Sequence, residues 1–252
     1  CLYQKYKRHI FLVPIFILLL LEVKDSIMDK CMVVVAGGKG LRMGKDLPKQ
    51  FLPVGGRPVL MHTLEAFHRC DAAMGLVLVL PEAHRDYWDA LCRRYDFALP
   101  HRVVSGGATR FHSVANGLRA VPPEVRLIGV HDGVRPFVSA RLIEALFAAA
   151  DCHGAAVPAI PVVDSLRHVD ACGGSVAVSR SEYRSVQTPQ VFRSALLLRA
   201  YDTPYRETFT DDASVVEAAG HAVTLVEGEV DNIKITTPRD LAVAEILLRA
   251  DE

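Results

Sequence analysis

Between Cys31 and Cys152 the chain alternates short apolar runs with stretches whose apolar residues recur at helical spacing. That alternation limits its possible folds more than any other feature. Cys31–Ala36 (CMVVVA) and Gly75–Leu80 (GLVLVL) are continuous in apolar character, as strands buried on both faces must be. Arg102–Ser105 (RVVS) and Leu127–His131 (LIGVH) read as two further strands. Between these runs, Pro58–Arg69 brings Val59, Leu60, Leu64 and Phe67 onto one helical face, with Pro58 as its first helical residue. Ala83–Tyr95 and about Arg110–Ala120 are expected to be helices, and Ser139 can cap another that runs to Cys152. Strand–helix alternation at this pace requires crossovers, and therefore a mainly parallel α/β sheet flanked by helices, Rossmann-like in plan. Ligands of such sheets bind beyond the carboxyl ends of the strands. The chemistry is expected just after CMVVVA, RVVS and LIGVH.

Three segments need separate treatment. Ser165–Ser179 reads as a hairpin turning at Cys172-Gly173-Gly174, with too few apolar residues for a core of its own. A dimer partner would give it something to lie on, which makes it a protruding dimerisation arm. Ile233–Thr236 is expected to be the last strand, followed by a capping-box start to the final helix at Thr237, Pro238 and Asp240. At the other end, Lys5, Lys7 and Arg8 precede an apolar run, Ile10–Leu21, that Pro14 interrupts. This is the layout of a signal-peptide n-region and h-region, but no A-x-A site follows it. It is also shorter than the ~20 residues of a membrane span. Residues 1–27 are therefore expected to be an extension outside the fold, a membrane tether being the alternative. Residues 28–252, with no internal repeat or low-complexity linker, form one domain with an arm at about 165–179.

Lys plus Arg equals Asp plus Glu at 29 each, so no global field attracts nucleic acid or an anionic membrane. Any anionic ligand must be held by a local cluster. Cys1, Cys31, Cys70, Cys92, Cys152 and Cys172 include no C-x-x-C pair, which points to reduced thiols in the cytoplasm rather than a zinc site.

A local cluster does follow the first strand. Ala36-Gly37-Gly38-Lys39-Gly40-Leu41-Arg42-Met43-Gly44 is succeeded by Pro48-Lys49-Gln50. Glycines straight after a buried strand let backbone N–H groups turn toward an anion, and Arg42 and Lys49 add fixed positive charge. The loop is not a Walker A motif, because Asp46 follows Lys45 and the glycine spacing is wrong. Nor is it the dinucleotide G-x-G-x-x-G, since position 43 is Met.

The string VVVAGGKGLRMG with LPKQF and GRPVL is similar to the nucleotide loop of sugar and polyol phosphate nucleotidyltransferases. Together with SGGATRFHSV (105–114), VHDGVRPF (130–137), TPQVF (188–192), FTDDAS (209–214) and DNIKITTP (231–238), it resembles the 2-C-methyl-D-erythritol 4-phosphate cytidylyltransferases from about Cys31 onward. The resemblance implies a nucleotidyltransferase fold, CTP as co-substrate, Mg²⁺, a small polyol phosphate acceptor and a homodimer. It implies that Ala36, Gly37, Gly38 and Gly40 line the cytidine and phosphates, and that Arg42, Lys49 and Lys234 are the catalytic cations. Gly106 and Gly107 would lie against the cytosine, Ser113 would contact the nucleotide, and Asp132 would hold Mg²⁺ or the ribose side. Arg135, Ser165, Arg180, Thr188 and Thr210 would serve the acceptor or phosphates, with Arg180 reaching across the dimer. Two positions depart from the family pattern: Ala108 stands where an acidic residue is frequent, and Ser165 where Thr is usual.

The residues themselves fit such a reaction without a His/Ser/Asp set. A phosphate monoester, with a second pKa near ~6, is already an anionic nucleophile at neutral pH. In-line positioning and charge neutralisation then suffice. Ribitol 5-phosphate is the alternative acceptor. A non-catalytic nucleotide-binding protein on the same fold is the alternative of another class.

Overall fold

The computed structural model describes residues 28–38 and 47–250. The segment 1–27, and the part of the glycine loop holding Gly40 and Arg42, lie outside the described residues. The first half contains β1 (Lys30–Val35), the short pair β2 (Pro53–Val54) and β3 (Arg57–Pro58), and α1 (Val59–Cys70). It continues with β4 (Gly75–Leu80), α2 (Arg85–Arg94), β5 (Arg102–Ser105), α3 (Arg110–Leu118), β6 (Leu127–Asp132) and α4 (Ala140–His153). The second half has β7 (Ala155–Pro161), β8 (Leu166–Val169), β9 (Ser175–Val178), β10 (Arg184–Val186) and β11 (Gln190–Arg193). It closes with α5 (Ser194–Tyr201), α6 (Asp212–Ala218), β12 (Thr224–Glu227) and α7 (Pro238–Ala250).

β1 stands inside an eight-stranded sheet ordered β10-β7-β11-β6-β1-β4-β5, with β12 also on β7. Its apolar run serves two cores at once, because successive side chains of a strand point to opposite faces. Met32 and Val34 join the face covered by α1, α2 and α4, while Cys31 and Val33 join the face covered by α3, α5 and α6. β4 divides in the same way: Leu76, Leu78 and Leu80 lie on the first face, Val77 and Val79 on the second. The sheet is mostly parallel, with β6, β1, β4 and β5 running the same way. β10 and β11 are antiparallel to their neighbours.

The chain passes from β1 to β4 and β5 on one side, then returns to place β6 on the other. This reversal opens a crevice at the carboxyl ends of β1 and β6. Backbone bonds lock its walls: Ala36 N–H donates to Val79 O at 2.9 Å, Gly106 N–H to Leu80 O at 2.7 Å, and Gly133 N–H to Val35 O at 2.9 Å.

Three expectations are corrected in detail. Pro58 is the cap before α1 rather than its first residue, and a 3₁₀ turn, Glu82–His84, precedes α2. Ile233–Thr236 has no regular secondary structure and joins no sheet. The Asp240 carboxylate accepts the Thr236 and Thr237 N–H groups at 2.7 and 2.8 Å, withdrawing them from any ladder. The same residues form the expected start of α7, with Thr237 Oγ1 accepting from Asp240 N–H at 3.3 Å. The last strand is instead β12, alongside β7.

β8 and β9 pair as an antiparallel hairpin, Leu166 opposite Val178 and Val169 opposite Ser175, around a turn with Gly173 at φ +84°. No residue of this pair is buried, and Val169 and Val176 are each 60% exposed.

α3 approaches the sheet closely because Gly117 faces it. A Cβ at Gly117 would come within 2.5 Å of Val33 Cγ1 and 2.9 Å of Val79 Cγ2. On an exposed helix, Gly→Ala gains about 1 kcal/mol. Here Gly117→Ala is expected to lose about 1–3 kcal/mol through overpacking. Urea unfolding measures it; equal or greater stability would contradict the packing described.

Candidate active site

The crevice holds a cleft of about 570 Å³. One wall is the glycine loop after β1. Ala36, Gly37 and Gly38 line it, and Gln50 braces it from beneath by donating to Ala36 O at 2.8 Å. Gln50 belongs to a 3₁₀ turn, Lys49–Phe51, whose first residue also lines the cleft. The Lys49 side chain lies over Gly38: a Cβ there would be 3.3 Å from Lys49 Cε.

The opposite wall is the turn after β5. Gly107, Ala108, Thr109 and Ser113 line it, and Gly106 before them is tied to β4 by its N–H to Leu80 O. A Cβ at Gly107 would sit 2.4 Å from His112 Cβ, so the turn closes tightly onto α3 only with glycine. Ser113 holds it closed, its Oγ accepting from Gly107 N–H at 3.0 Å and donating to Thr109 O at 2.9 Å.

At the floor, Asp132 ends β6 at 8% exposure. Three cations surround it: Lys234 Nζ at 2.9 Å, Arg135 Nε at 3.5 Å and Arg110 Nε at 3.8 Å. Burial pushes the Asp132 carboxyl upward, but Lys234, Arg110 and Arg135 outweigh it and hold the group well below the usual carboxylate range. Arg110 is fixed from behind. Its Nη2 donates to Asp212 Oδ2 at 2.7 Å, and Tyr201 Oη donates to the other oxygen of this fully buried carboxylate at 2.6 Å. Motif reading missed Arg110 as a cleft residue, although Arg110 stands in the SGGATRFHSV string and Asp212 in FTDDAS.

The expected site residues divide into two groups. Ala36, Gly37, Gly38, Lys49, Gly107, Ser113, Asp132 and Lys234 share the cleft, and Gly106 supports it. Arg135 is buried beside Asp132 and spends Nη1 on Asn232 O at 2.7 Å. Thr188 is buried beneath the floor, where its hydroxyl receives Asp132 N–H at 3.1 Å. Thr210 is exposed. Ser165, at the base of the hairpin, is exposed as well. Arg180 lines a different hollow, with Pro161 and Arg184, and donates to Val163 O. Within one chain, the residues around the hairpin do not reach the cleft.

A glycine-walled cleft at the switch point of a mostly parallel sheet, with lysines on both sides and a carboxylate at its floor, defines an α/β nucleotidyltransferase. The family model of 2-C-methyl-D-erythritol 4-phosphate cytidylyltransferase matches residues 30–250, and the chain belongs to that family of cytidylyltransferases. Proteins of that name from Phocaeicola vulgatus and Bacteroides thetaiotaomicron are each 55% identical over 221 residues, covering 88% of this chain and all of the relative. The crystal structure of the Thermus thermophilus protein of that name superposes with a TM-score of 0.70 at 37% identity, covering 87% of this chain and 99% of that one. The 4-diphosphocytidyl-2C-methyl-D-erythritol synthase from Anaerococcus prevotii gives 0.74 at 30% identity, covering 87% and 95%.

One buried group under the floor makes stability depend on pH. Burial pushes the imidazole of fully buried His131 down to about 4. Below the ordinary histidine value near ~6.5 the unfolded chain takes up a proton that the folded one refuses, so stability falls as pH drops through that window. The expected contribution is a loss of about 2 kcal/mol between pH 7 and 5. Urea unfolding of the wild type and of His131→Gln should differ in pH slope by that amount; identical slopes would contradict it.

Proposed function

We propose that this cleft transfers the CMP group of CTP to the phosphate of 2-C-methyl-D-erythritol 4-phosphate. An oxygen of the acceptor phosphate forms a bond to the α-phosphorus of CTP, the bond from that phosphorus to the bridging oxygen breaks, and pyrophosphate leaves. No proton need be removed, because the attacking oxygen is already anionic. The observation that carries this reading is the placement of Lys49 and Lys234 around one glycine-walled cleft, with the Asp132 carboxylate between the loops.

In this reading the backbone of Ala36, Gly37 and Gly38 cradles the triphosphate, and Lys49 neutralises charge on the leaving pyrophosphate. The Gly106-Gly107 turn and Ser113 hold the cytosine. Lys234 faces the pentavalent centre. Arg110 joins these groups on the Asp132 side.

The residues present fit a magnesium ion as a single-carboxylate site. Among the described residues no group of three or more His, Cys, Asp or Glu converges. Among the described residues, the ion-pair contact at Asp132 Oδ1 is Arg110 Nε at 3.8 Å, a distance that leaves the oxygen open to a cation. Phosphates and water complete the coordination of this metal readily. When bound, it would supply further neutralisation of phosphate charge.

A homodimer explains the stranded residues. The exposed β8–β9 hairpin would lie on a second copy and carry Ser165 and Arg180 to the neighbour's cleft, a reciprocal two-fold arrangement. No helix among the described residues is long and apolar enough to cross a membrane. Five of the cysteines are free thiols, which supports a cytoplasmic setting.

Pyrophosphate release tests both levels of the reading. With CTP, the 2-C-methyl-D-erythritol ester should be turned over, whereas preference for ribitol 5-phosphate would reassign the acceptor. Lys49→Ala should cost about 3–4 kcal/mol of transition-state stabilisation, and Arg180→Ala should also be inactive. Mixing these two variants should restore activity, because one site of a heterodimer then carries neither defect. No recovery on mixing would place Arg180 in its own chain's site.

A further inference from the structure

Beneath the cleft floor, four buried residues close a ring of hydrogen bonds. His131 Nε2 lies 3.0 Å from Arg135 O, and Arg135 Nη1 lies 2.7 Å from Asn232 O. Asn232 Nδ2 lies 2.9 Å from Thr188 O, and Thr188 Oγ1 lies 3.1 Å from His131 Nδ1. Exposure is 0% at His131 and Asn232, 5% at Thr188 and 9% at Arg135.

The chemistry fixes the direction of each bond. A carbonyl only accepts, so Arg135 donates to Asn232 O, Asn232 to Thr188 O, and His131 Nε2–H to Arg135 O. A neutral imidazole with its proton on Nε2 has an acceptor at Nδ1. The Thr188 hydroxyl therefore donates to His131, and its oxygen accepts Asp132 N–H at 3.1 Å. Each of the four ring bonds pairs a donor with an acceptor, while Asn232 Oδ1 has no hydrogen-bond partner among the described residues. The edge of the Phe67 ring, 4.8 Å between centroids, closes the remaining side of the imidazole.

The ring joins three segments distant in sequence: the end of β6 with its following loop, the residue before Pro189, and the irregular stretch after β12. Lys234 sits on the last of these, between two anchors. On one side Asn232 belongs to the ring; on the other, fully buried Ile235 donates its N–H to Val134 O at 2.9 Å. The side chain between them, 42% exposed, reaches Asp132 at 2.9 Å. Segment 231–235 has no sheet ladder to hold it, so the ring at Asn232 and the backbone bond at Ile235 take over that task.

We infer that His131 and Asn232 are positioning residues for the transfer reaction, holding the Lys234 ammonium against Asp132 through the closed ring they form with Thr188 and Arg135. Thr188 acts from below the floor, its hydroxyl occupied on both sides. The inference rests on the role given to Lys234 above.

The test compares His131→Asn and Asn232→Leu, each made in the wild type and in Lys234→Ala, by pyrophosphate release from CTP and 2-C-methyl-D-erythritol 4-phosphate. Near-ultraviolet circular dichroism identifies the folded fraction, and two variants in different ring members guard against one failing to fold. In the wild type each should lower kcat about 10–100-fold while KM for CTP moves less than about 3-fold, as loss of positioning without loss of binding requires. In Lys234→Ala the same substitutions should cost less than about 2-fold, because the group they position is gone. Equal losses in both backgrounds, or unchanged kcat in the folded variants, would overturn the inference. If Lys234→Ala itself turns over normally, the failure lies instead in the role assigned to Lys234.

Discussion

The Asp132 carboxylate is the charge around which the cleft is assembled. It lies at the end of a strand buried on both faces, where an unpaired anion would be costly, and it collects Lys234, Arg135 and Arg110 from three parts of the chain. Each of those cations is fixed in turn: Arg110 by Asp212 and Tyr201, Arg135 by Asn232, and Lys234 by the anchored segment that carries it. An excess of positive charge is thus held at the mouth of a sheet whose whole chain is neutral. That local excess is what a triphosphate and a phosphate monoester, meeting as like charges, require of a protein.

The sheet supplies the rigidity behind this arrangement. β1 contributes side chains to the cores on both faces, and the turns that follow β1, β5 and β6 are bonded to neighbouring strands. The glycine stretches of the walls, Gly37-Gly38 and Gly107, present backbone with no side-chain entropy to lose when a nucleotide enters. The β8–β9 hairpin lies outside both cores.

Much of this was legible in the sequence because it depends on local pattern. The buried runs CMVVVA and GLVLVL dictate central strands, and glycines directly after the first dictate where phosphates can approach. The capping box at Thr237 and Asp240 was equally readable, but its carboxylate also takes the N–H of Thr236, the last residue of the strand expected at Ile233–Thr236. Arg110 escaped notice because an arginine opening a helix is unremarkable until Asp212, 102 residues later, aims it at the cleft. Thr188 carried a motif signal, yet its hydroxyl turns inward to His131 and the Asp132 backbone, a pairing only the fold creates. Ser165 and Arg180 were legible through family resemblance alone, and a single chain leaves them outside the cleft.

The central claim is that Asp132 stays ionised under the cations it gathers. Carbon-13 detected titration of its side-chain carboxyl measures this directly. The signal should remain at its ionised position down to about pH 4, the ordinary aspartate range, and its midpoint should rise in Lys234→Met. A midpoint at or above about 4 in the wild type, or no change on removing the Lys234 charge, would contradict the account.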